Sequence, residues 1–208
     1  RVDTDCKFIF RNEGKACTVK MGFPDFGLWA YAMKLDKPRT MFKSFRSFVD
    51  GKPVNDVLEL GKQPGEQWQT KQVKFGPGST RIVREIYSTE LGGIGVRPPL
   101  AVACYILHTG ASWKGNIGKA TVTVTFAPDS EVGLSLACQT KPRFEESDAA
   151  QLDRKGSMVS LSRIVPAVRL NTLVFVCENW RPTEDDDIRV AFRYPPLEIE
   201  RQRKKYKN

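Results

Sequence analysis

The sequence predicts an all-β protein, built either as two antiparallel β-sandwich domains of Ig-like or jelly-roll-like type or as one elongated double sandwich, with at most one or two short helices. Apolar and polar residues alternate over many short stretches, Gly- and Pro-containing turns separate these stretches, and a single segment has the caps of a helix. The 208 residues, 40% hydrophobic and 27% charged, suit one large or two small globular domains and exclude a disordered chain.

The N-terminal residues predict a β-hairpin. Apolar and charged side chains alternate over residues 6–10, and a turn centred on residues 13–14 follows. A two-residue turn would place Phe10 opposite Cys17 and gather the apolar side chains of both strands on one face. In that register Cys6 and Cys17 are too far apart along the ladder for a disulfide, so both are expected to be small buried groups. The chain has five cysteines without a metal-binding or haem-binding spacing, and their disulfide connectivity stays open: Cys6, Cys17, Cys104, Cys138 and Cys177.

More strands follow in the first half of the chain. Residues 42–54 predict a strand–turn–strand unit with its turn at 49–52, although aromatic residues three positions apart would also suit a helix. Residues 68–87 predict two strands around the turn sequence GPGS. The Gly- and Pro-rich stretch 88–99 lacks apolar periodicity and marks a boundary. The predicted domains are an N-terminal β-sandwich over 1–92, a C-terminal β-sandwich over 93–197 and a basic tail over 198–208.

The second half of the chain predicts another set of strands. These segments are either continuously apolar or alternating, and they cover residues 100–107, 120–126, 132–138, 172–177 and 187–194. Residues 145–156 are the one predicted helix, with Ser147 as its N-cap and a glycine at its end. The stretch WKGNIG at 113–118 leads into an alternating strand rather than a helix, so we interpret it as a turn with positive-φ glycines and not as a phosphate-binding loop.

The sequence contains no recognisable catalytic set. His108 is the single histidine and follows a buried run, and neither a GxSxG nor an HExxH motif is present. We interpret His108 as structural, and we expect no catalytic residue and no cofactor. A pair of distant carboxylates for glycoside hydrolysis stays open as an alternative.

Three surface features suggest ligands. Aromatic side chains could stack on sugar rings, although core packing explains them as well; the residues are Trp29, Tyr31, Trp113 and Trp180. An acidic run is a weak calcium candidate, for which a solvated turn is favoured: Glu184, Asp185, Asp186 and Asp187. Five positive charges of a chain with a net charge of +9 lie at its C-terminus: Arg201, Arg203, Lys204, Lys205 and Lys207. This end is either a solvated terminus or an arm that binds polyanions.

The order of four motifs resembles a bacterial family of exported all-β proteins that is catalogued as a domain of unknown function. The motifs are an N…FP hairpin in RNEGKACTVKMGFPD, a VDG turn in FRSFVDGKPV, a WxGxIG corner in GASWKGNIGKATVTVTF and a PxEDDDI strand entry in ENWRPTEDDDIRV. The resemblance spans residues 8–193 and implies an exported β-sandwich protein. It carries no catalytic residue.

These observations predict a non-enzymatic, exported protein, in the periplasm, at the cell surface or outside the cell, that acts as a structural or interaction module. The chain enters a strand pattern almost at once, without an initial methionine, which suggests a processed start and an open strand edge. We therefore expect self-association by strand addition, either with itself as a homo-oligomer or with another envelope or extracellular protein. A carbohydrate-binding module that binds polysaccharide is the alternative. Specific nucleic-acid binding is not expected, and no apolar run is long enough for a membrane span.

Overall fold

The computed structural model describes residues 2–25, 40–62, 65–94, 100–125, 139–140, 158–160, 164–169 and 172–193. Within these ranges the protein is all-β, which confirms the predicted fold class. The only helical segments described there are two 3₁₀ turns, His108–Ser112 and Glu184–Asp186. In the same ranges no helix combines the length and the hydropathy that crossing a membrane requires. The predicted helix over 145–156 and the predicted strand over 132–138 lie outside the described residues.

The chain divides into two compact units, Arg1–Leu91 and Gly92–Asn208. The first unit contains seven strands, which are β1 (Val2–Arg11), β2 (Cys17–Pro24), β3 (Ser44–Val49), β4 (Lys52–Val54), β5 (Val57–Leu60), β6 (Gln67–Phe75) and β7 (Thr80–Thr89). They form a four-stranded sheet in the order β1-β7-β3-β4 and a three-stranded sheet in the order β2-β6-β5. All pairings in these two sheets are antiparallel.

Aromatic side chains join the two sheets of the first unit. Phe23 on β2 lies 5.3 Å from Tyr87 on β7, 5.6 Å from Phe45 on β3 and 6.4 Å from Phe8 on β1, measured between ring centroids. Contacts of this kind across two sheets define the interior of a β-sandwich.

The predicted hairpin between the first two strands is wrong, because β1 and β2 belong to different sheets. β1 pairs with β7, and β2 pairs with β6, so Phe10 lies opposite Arg81 and Cys17 lies opposite Phe75. The expectation that both cysteines are buried is confirmed for Cys6 and wrong for Cys17, which is exposed at the start of β2. Neither thiol forms a disulfide with another described residue.

Asn12 explains why the chain changes sheets after β1. Its side-chain amide donates to the carbonyl oxygens of Lys15 and Gly76, both at 2.9 Å, and its main-chain amide donates to Ser79 at 2.9 Å. Its side-chain oxygen accepts the amide of Gly14. The link from β1 to β2 is therefore fastened to the link from β6 to β7, and each link carries the chain from one sheet to the other.

The second unit contains two sheets and the remaining strands. These are β8 (Gly92–Ile94), β9 (Leu100–Tyr105), β10 (Ile117–Thr125), β11 (Gln139–Thr140), β12 (Met158–Ser160), β13 (Ala167–Arg169), β14 (Thr172–Trp180) and β15 (Ile188–Arg193). The sheet orders are β10-β14-β13 and β11-β12-β15-β9-β8, and the short β11–β12 pair is parallel. Both sheets bury apolar side chains: Leu173 and Phe175 on β14, Val102 on β9, and Ile188 and Val190 on β15.

The predicted turn at VDG is confirmed, and the one at WKGNIG is confirmed for Gly115 only, because Gly118 lies in the following strand and lacks a positive φ. The VDG sequence forms the tight link between β3 and β4, with φ of 50° at Asp50 and 78° at Gly51, as a type I′ hairpin requires. In the WKGNIG stretch, Gly115 has a φ of 81° and the chain enters β10 two residues later. On β10, threonines are exposed and the intervening apolar residues are half-buried.

Replacing Gly51 with alanine should destabilise the protein, because a side chain raises the energy of left-handed backbone by about 1–2 kcal/mol. No atom lies within 4 Å of the Cβ that would be added, so the effect would come from the backbone alone. Gly14→Ala is the matched control in the same unit, since Gly14 lacks a positive φ and its added Cβ would make ordinary contact. Chemical denaturation measures both variants, and an equal loss in the two would contradict this explanation.

Candidate functional site

Strand β6 places polar side chains in the interior of the first unit. Val73 and Phe75 are buried on its inner face. Because alternate residues of a strand face the same side, three polar residues of β6 also point inward: Lys71, Gln69 and Gln67. All five are buried, and the buried polar groups on this strand need partners inside the protein.

The Lys71 ammonium has two carboxylate partners. Its Nζ lies 2.6 Å from Oε1 of Glu85 and 2.9 Å from Oδ1 of Asp56. The three side chains are 3%, 2% and 7% exposed, respectively, so water is largely excluded from them. The hydroxyl of Ser47 donates to the other oxygen of Glu85 at 2.5 Å. We refer to Lys71, Asp56, Glu85 and Ser47 as the Lys71 cluster.

Four different elements supply the Lys71 cluster. Lys71 lies on β6 in one sheet, whereas Glu85 lies on β7 in the other sheet, directly opposite Ser47 on β3. Asp56 lies in the short link that carries the chain from β4 to β5, and therefore from one sheet to the other. Burial raises the pKa of Glu85 above its ordinary value, and the nearby Lys71 and Ser47 only partly oppose that rise. The site thus combines a primary amine, a carboxylate and a second carboxyl whose pKa is raised by burial.

A second buried carboxylate, Asp25, lies just after β2. It accepts a hydrogen bond from the side-chain amide of Gln69 at 2.7 Å and another from the main-chain amide of Met41 at 2.8 Å. Its own amide donates to the carbonyl of Gln67 at 2.9 Å. Asp25 therefore ties the end of β2 to β6 and to the residues that precede β3.

In the second unit, the half-buried His108 contacts the buried carboxylate of Asp187. Nδ1 of His108 lies 2.9 Å from Oδ2 and 3.1 Å from Oδ1 of Asp187. The main-chain amides of Leu107 and His108 donate to Oδ1 at 2.8 and 3.0 Å. Arg189 approaches the same carboxylate at 3.6 Å. Asp187 therefore fastens the 3₁₀ turn after β9 to the start of β15.

No activated nucleophile accompanies His108 in the described part of the chain, where its ring nitrogen Nδ1 contacts the carboxylate of Asp187. Cys104, on neighbouring β9, is half-buried, and desolvation raises the pKa of its thiol to about 11. At neutral pH that thiol is protonated. Among the described residues, Nε of Arg189 is a buried donor without a hydrogen-bond partner.

The acidic run is less solvated than its sequence suggests. Glu184 and Asp185 are exposed, but Asp186 and Asp187 are buried, so the expected fully solvated turn is wrong for its second half. One oxygen of Asp186 accepts hydrogen bonds from the amide and hydroxyl of Thr183 and from the indole of Trp180. Because both buried carboxylates are used in hydrogen bonds, the run serves as a structural cap. Within the described ranges, no cluster of three or more His, Cys, Asp or Glu side chains has the arrangement of a metal site.

The predicted aromatic residues are only partly described. Trp113 and Trp180 lie at one end of the β10-β14-β13 sheet, since Trp180 is opposite Ile117 at the start of β10 and Trp113 precedes that strand. Both are half-buried, and Arg181 beside them donates to the carbonyl of Ala111 at 2.9 Å. Trp29, Tyr31 and the basic residues of the tail, Arg201, Arg203, Lys204, Lys205 and Lys207, lie outside the described residues.

The Lys71 cluster was not predicted from the sequence, although the sequence contains one signal of it. The apolar pair Val73 and Phe75 sets the inner parity of β6, and extending that parity backwards places Lys71 in the interior. A buried lysine requires acidic partners. The sequence gives no indication that these partners are Asp56 and Glu85, because neither lies on a strand adjacent to β6.

Replacing Asp187 with alanine should destabilise the second unit by about 1–3 kcal/mol, because the main-chain amides of Leu107 and His108 lose their acceptor. The Asp187→Asn variant should lose less stability, since the asparagine side chain retains one oxygen acceptor. Glu184→Ala is the exposed control and should stay within about 0.5 kcal/mol of the original protein. Denaturant unfolding measures the change in the free energy of unfolding, and hydrogen exchange of the amides on β9 and β15 shows where the protein is destabilised. Equal stabilities of the Asp187→Ala and Glu184→Ala variants would contradict the role of Asp187.

No protein-family model matches the chain. A search of curated proteins finds no match either. Among solved structures, the chain is similar to a candidate nutrient-binding protein from Legionella pneumophila, with a TM-score of 0.59 and 20% sequence identity. The likeness covers 91% of this chain and 59% of that protein, so this chain spans little more than half of its length. At this identity the likeness concerns the fold.

Proposed function

We propose that the protein is a non-enzymatic, exported interaction module that binds a β-strand along the open edge of β1, and that a second copy of the chain is the partner. The observation that most directly supports this proposal is that β1 is a long, regular edge strand. The resemblance to an exported all-β family supports the proposed location.

The position of β1 in its sheet supports strand addition. β1 is the outermost strand of the β1-β7-β3-β4 sheet, and its ladder with β7 runs unbroken from Val2 opposite Thr89 to Arg11 opposite Thr80. Among the described residues, no strand pairs with its other side. β1 contains neither proline nor glycine, and Ile9 on its outer face is 67% exposed.

The other edges of the first unit carry features that discourage pairing. β4 has three residues and includes Pro53, and β5 has four residues. β2 includes Gly22 and ends at Pro24. Short strands, prolines and interruptions are the usual protection of sheet edges, and β1 has none of the three.

The hydrogen-bond pattern identifies the groups at the open edge. The Asn12 amide donates to Ser79 where the ladder begins, so the even-numbered residues of β1 direct their main-chain groups towards β7. On the side of β7 that faces β3, the Asp50 amide donates to the carbonyl oxygen of Ile82. The even-numbered residues of β7 thus direct their main-chain groups towards β3 and the odd-numbered ones towards β1, which agrees with the assignment for β1. The odd-numbered residues therefore direct theirs to the open edge: Asp3, Asp5, Lys7, Ile9 and Arg11.

Charge selects one register for a second copy. In antiparallel pairing about Cys6, Asp5 of each copy would lie opposite Lys7 of the other, which gives two complementary charge pairs. Shifting the register by two residues in either direction would place Lys7 opposite Lys7, or Asp5 opposite Asp5. In the favoured register the two Cys6 residues form a pair without main-chain hydrogen bonds, whose Cα separation of about 4.5 Å suits a disulfide.

Proline at an odd position should abolish self-association without breaking the β1–β7 ladder. In Lys7→Pro the lost amide is one that faces the open edge, and edge strands tolerate such a change. Lys7→Ala keeps the amide and should retain most of the association. Sedimentation equilibrium over a wide concentration range measures the effect, with folding checked by circular dichroism. A strictly monomeric original protein, or an association unchanged in folded Lys7→Pro, would overturn the proposal.

Oxidation tests the register separately. In a Cys17→Ser background, mild oxidation should give a covalent dimer through Cys6, and the additional change Cys6→Ser should remove it. A dimer linked through other cysteines, with Cys6 left reduced, would contradict pairing centred on Cys6.

A carbohydrate-binding module is the second candidate. It is favoured by the half-buried Trp113 and Trp180 at one end of the second unit and by the candidate nutrient-binding protein that shares the fold. Polysaccharides should then change the tryptophan fluorescence, because a sugar ring stacks on an indole face. Trp113→Ala should remove the response, whereas Trp68→Phe in the first unit should not. An absence of response across a panel of glycans would exclude this candidate.

A further inference from the structure

We propose that the Lys71 cluster is a self-modification site, in which the Lys71 amine condenses with the Asp56 carboxyl to form an amide bond between the two side chains, with Glu85 as the catalytic residue. This activity is independent of strand addition by β1. It rests on the contacts, the burial and the charge balance of the cluster.

The geometry places the reacting groups together. Nζ of Lys71 lies 2.9 Å from Oδ1 of Asp56, so the nucleophilic nitrogen is already in contact with the carboxyl group that it would attack. The fold holds both groups in place, because β6 carries the amine and the β4–β5 link carries the acid. Groups held together in this way react as if present at about 10⁵–10⁸ M, which offsets the low intrinsic tendency of a carboxylic acid to form an amide.

Glu85 is placed to move the protons. Its Oε1 lies 2.6 Å from the nitrogen, and its other oxygen is fixed by the Ser47 hydroxyl at 2.5 Å. Burial raises its pKa, which favours acceptance of a proton from the neighbouring ammonium. An amine freed of that proton is a nucleophile.

The reaction balances without any further reagent. Glu85 takes a proton from the Lys71 ammonium, and the neutral nitrogen attacks Cγ of Asp56. As the new carbon–nitrogen bond forms, one carbon–oxygen bond of the carboxyl breaks. The protons lost by the nitrogen pass through Glu85 to the departing oxygen, which leaves as water. The ammonium and the carboxylate become one neutral amide, and Glu85 returns to its starting state.

Burial also favours the product. Before reaction, one ammonium and two carboxylates share an interior from which water is largely excluded, and buried charges carry a large desolvation penalty. Condensation removes two of the three charges. It also replaces an ion pair by a covalent link between the β4–β5 connection and β6, so the region cannot separate when the ion pair would otherwise break.

Intact-mass spectrometry of the purified full chain tests the proposal. The folded protein should be lighter than its sequence by one water molecule. After trypsin digestion, residues 47–62 should be joined to residues 63–74, because the modified Lys71 no longer directs cleavage. A folded protein with the full sequence mass and a free 63–71 peptide would overturn the proposal.

Variants separate this reaction from other losses of water. Asp56→Asn should lose ammonia instead of water and reach the same final mass as the original protein. Lys71→Arg and Glu85→Gln should keep their full sequence masses. The sequence Asp50-Gly51 could also lose water by forming a cyclic imide, but that loss would persist in Lys71→Arg and would map to residues 47–62 alone. Retention of the cross-linked peptide in Glu85→Gln would remove Glu85 from the mechanism, and mass loss confined to the cyclic imide would overturn the proposal as a whole.

Discussion

The buried ammonium of Lys71 is the constraint on which the first unit depends. A charge in the interior of a β-sandwich is stable only when opposite charges and hydrogen bonds surround it. That requirement explains why Glu85 and Ser47 occupy facing positions on β7 and β3, and why the link between β4 and β5 carries Asp56 inward. Apolar packing between the sheets, centred on Phe23, would allow many relative positions of the strands. The ionic contacts allow only a few relative positions of the strands, because a displaced strand would leave a buried charge unpaired.

Buried carboxylates play the corresponding part at three places where the described chain leaves or enters a strand. Asp25 fixes the exit from β2, Asp186 caps the turn before β15, and Asp187 holds the turn after β9. A carboxylate suits these positions because its two oxygens accept several hydrogen bonds from amides that no neighbouring strand satisfies. The two units, which share no sequence repeat, therefore use the same solution at the ends of their strands.

The sequence predicts which way side chains face better than it predicts which strands meet. Alternation on β10 and the type I′ turn at Asp50 and Gly51 are local properties, and both are confirmed. The β1–β2 hairpin was wrong because local proximity favours a hairpin, whereas Asn12 and the link at residues 76–79 direct the two strands into separate sheets. The Lys71 cluster was missed for a related reason: its members come from four separate elements, and their meeting depends on the packing of two sheets.

The two hydrogen bonds of the Asp25 carboxylate have a consequence for how the sequence can change. Asp25 contacts Met41 and Gln69 directly, so the positions on either side of residues 26–39 are held next to each other by the sandwich itself. A substitution at Asp25 would therefore act at once on β6 and on the residues that precede β3, so these two parts of the first unit cannot vary independently at this point.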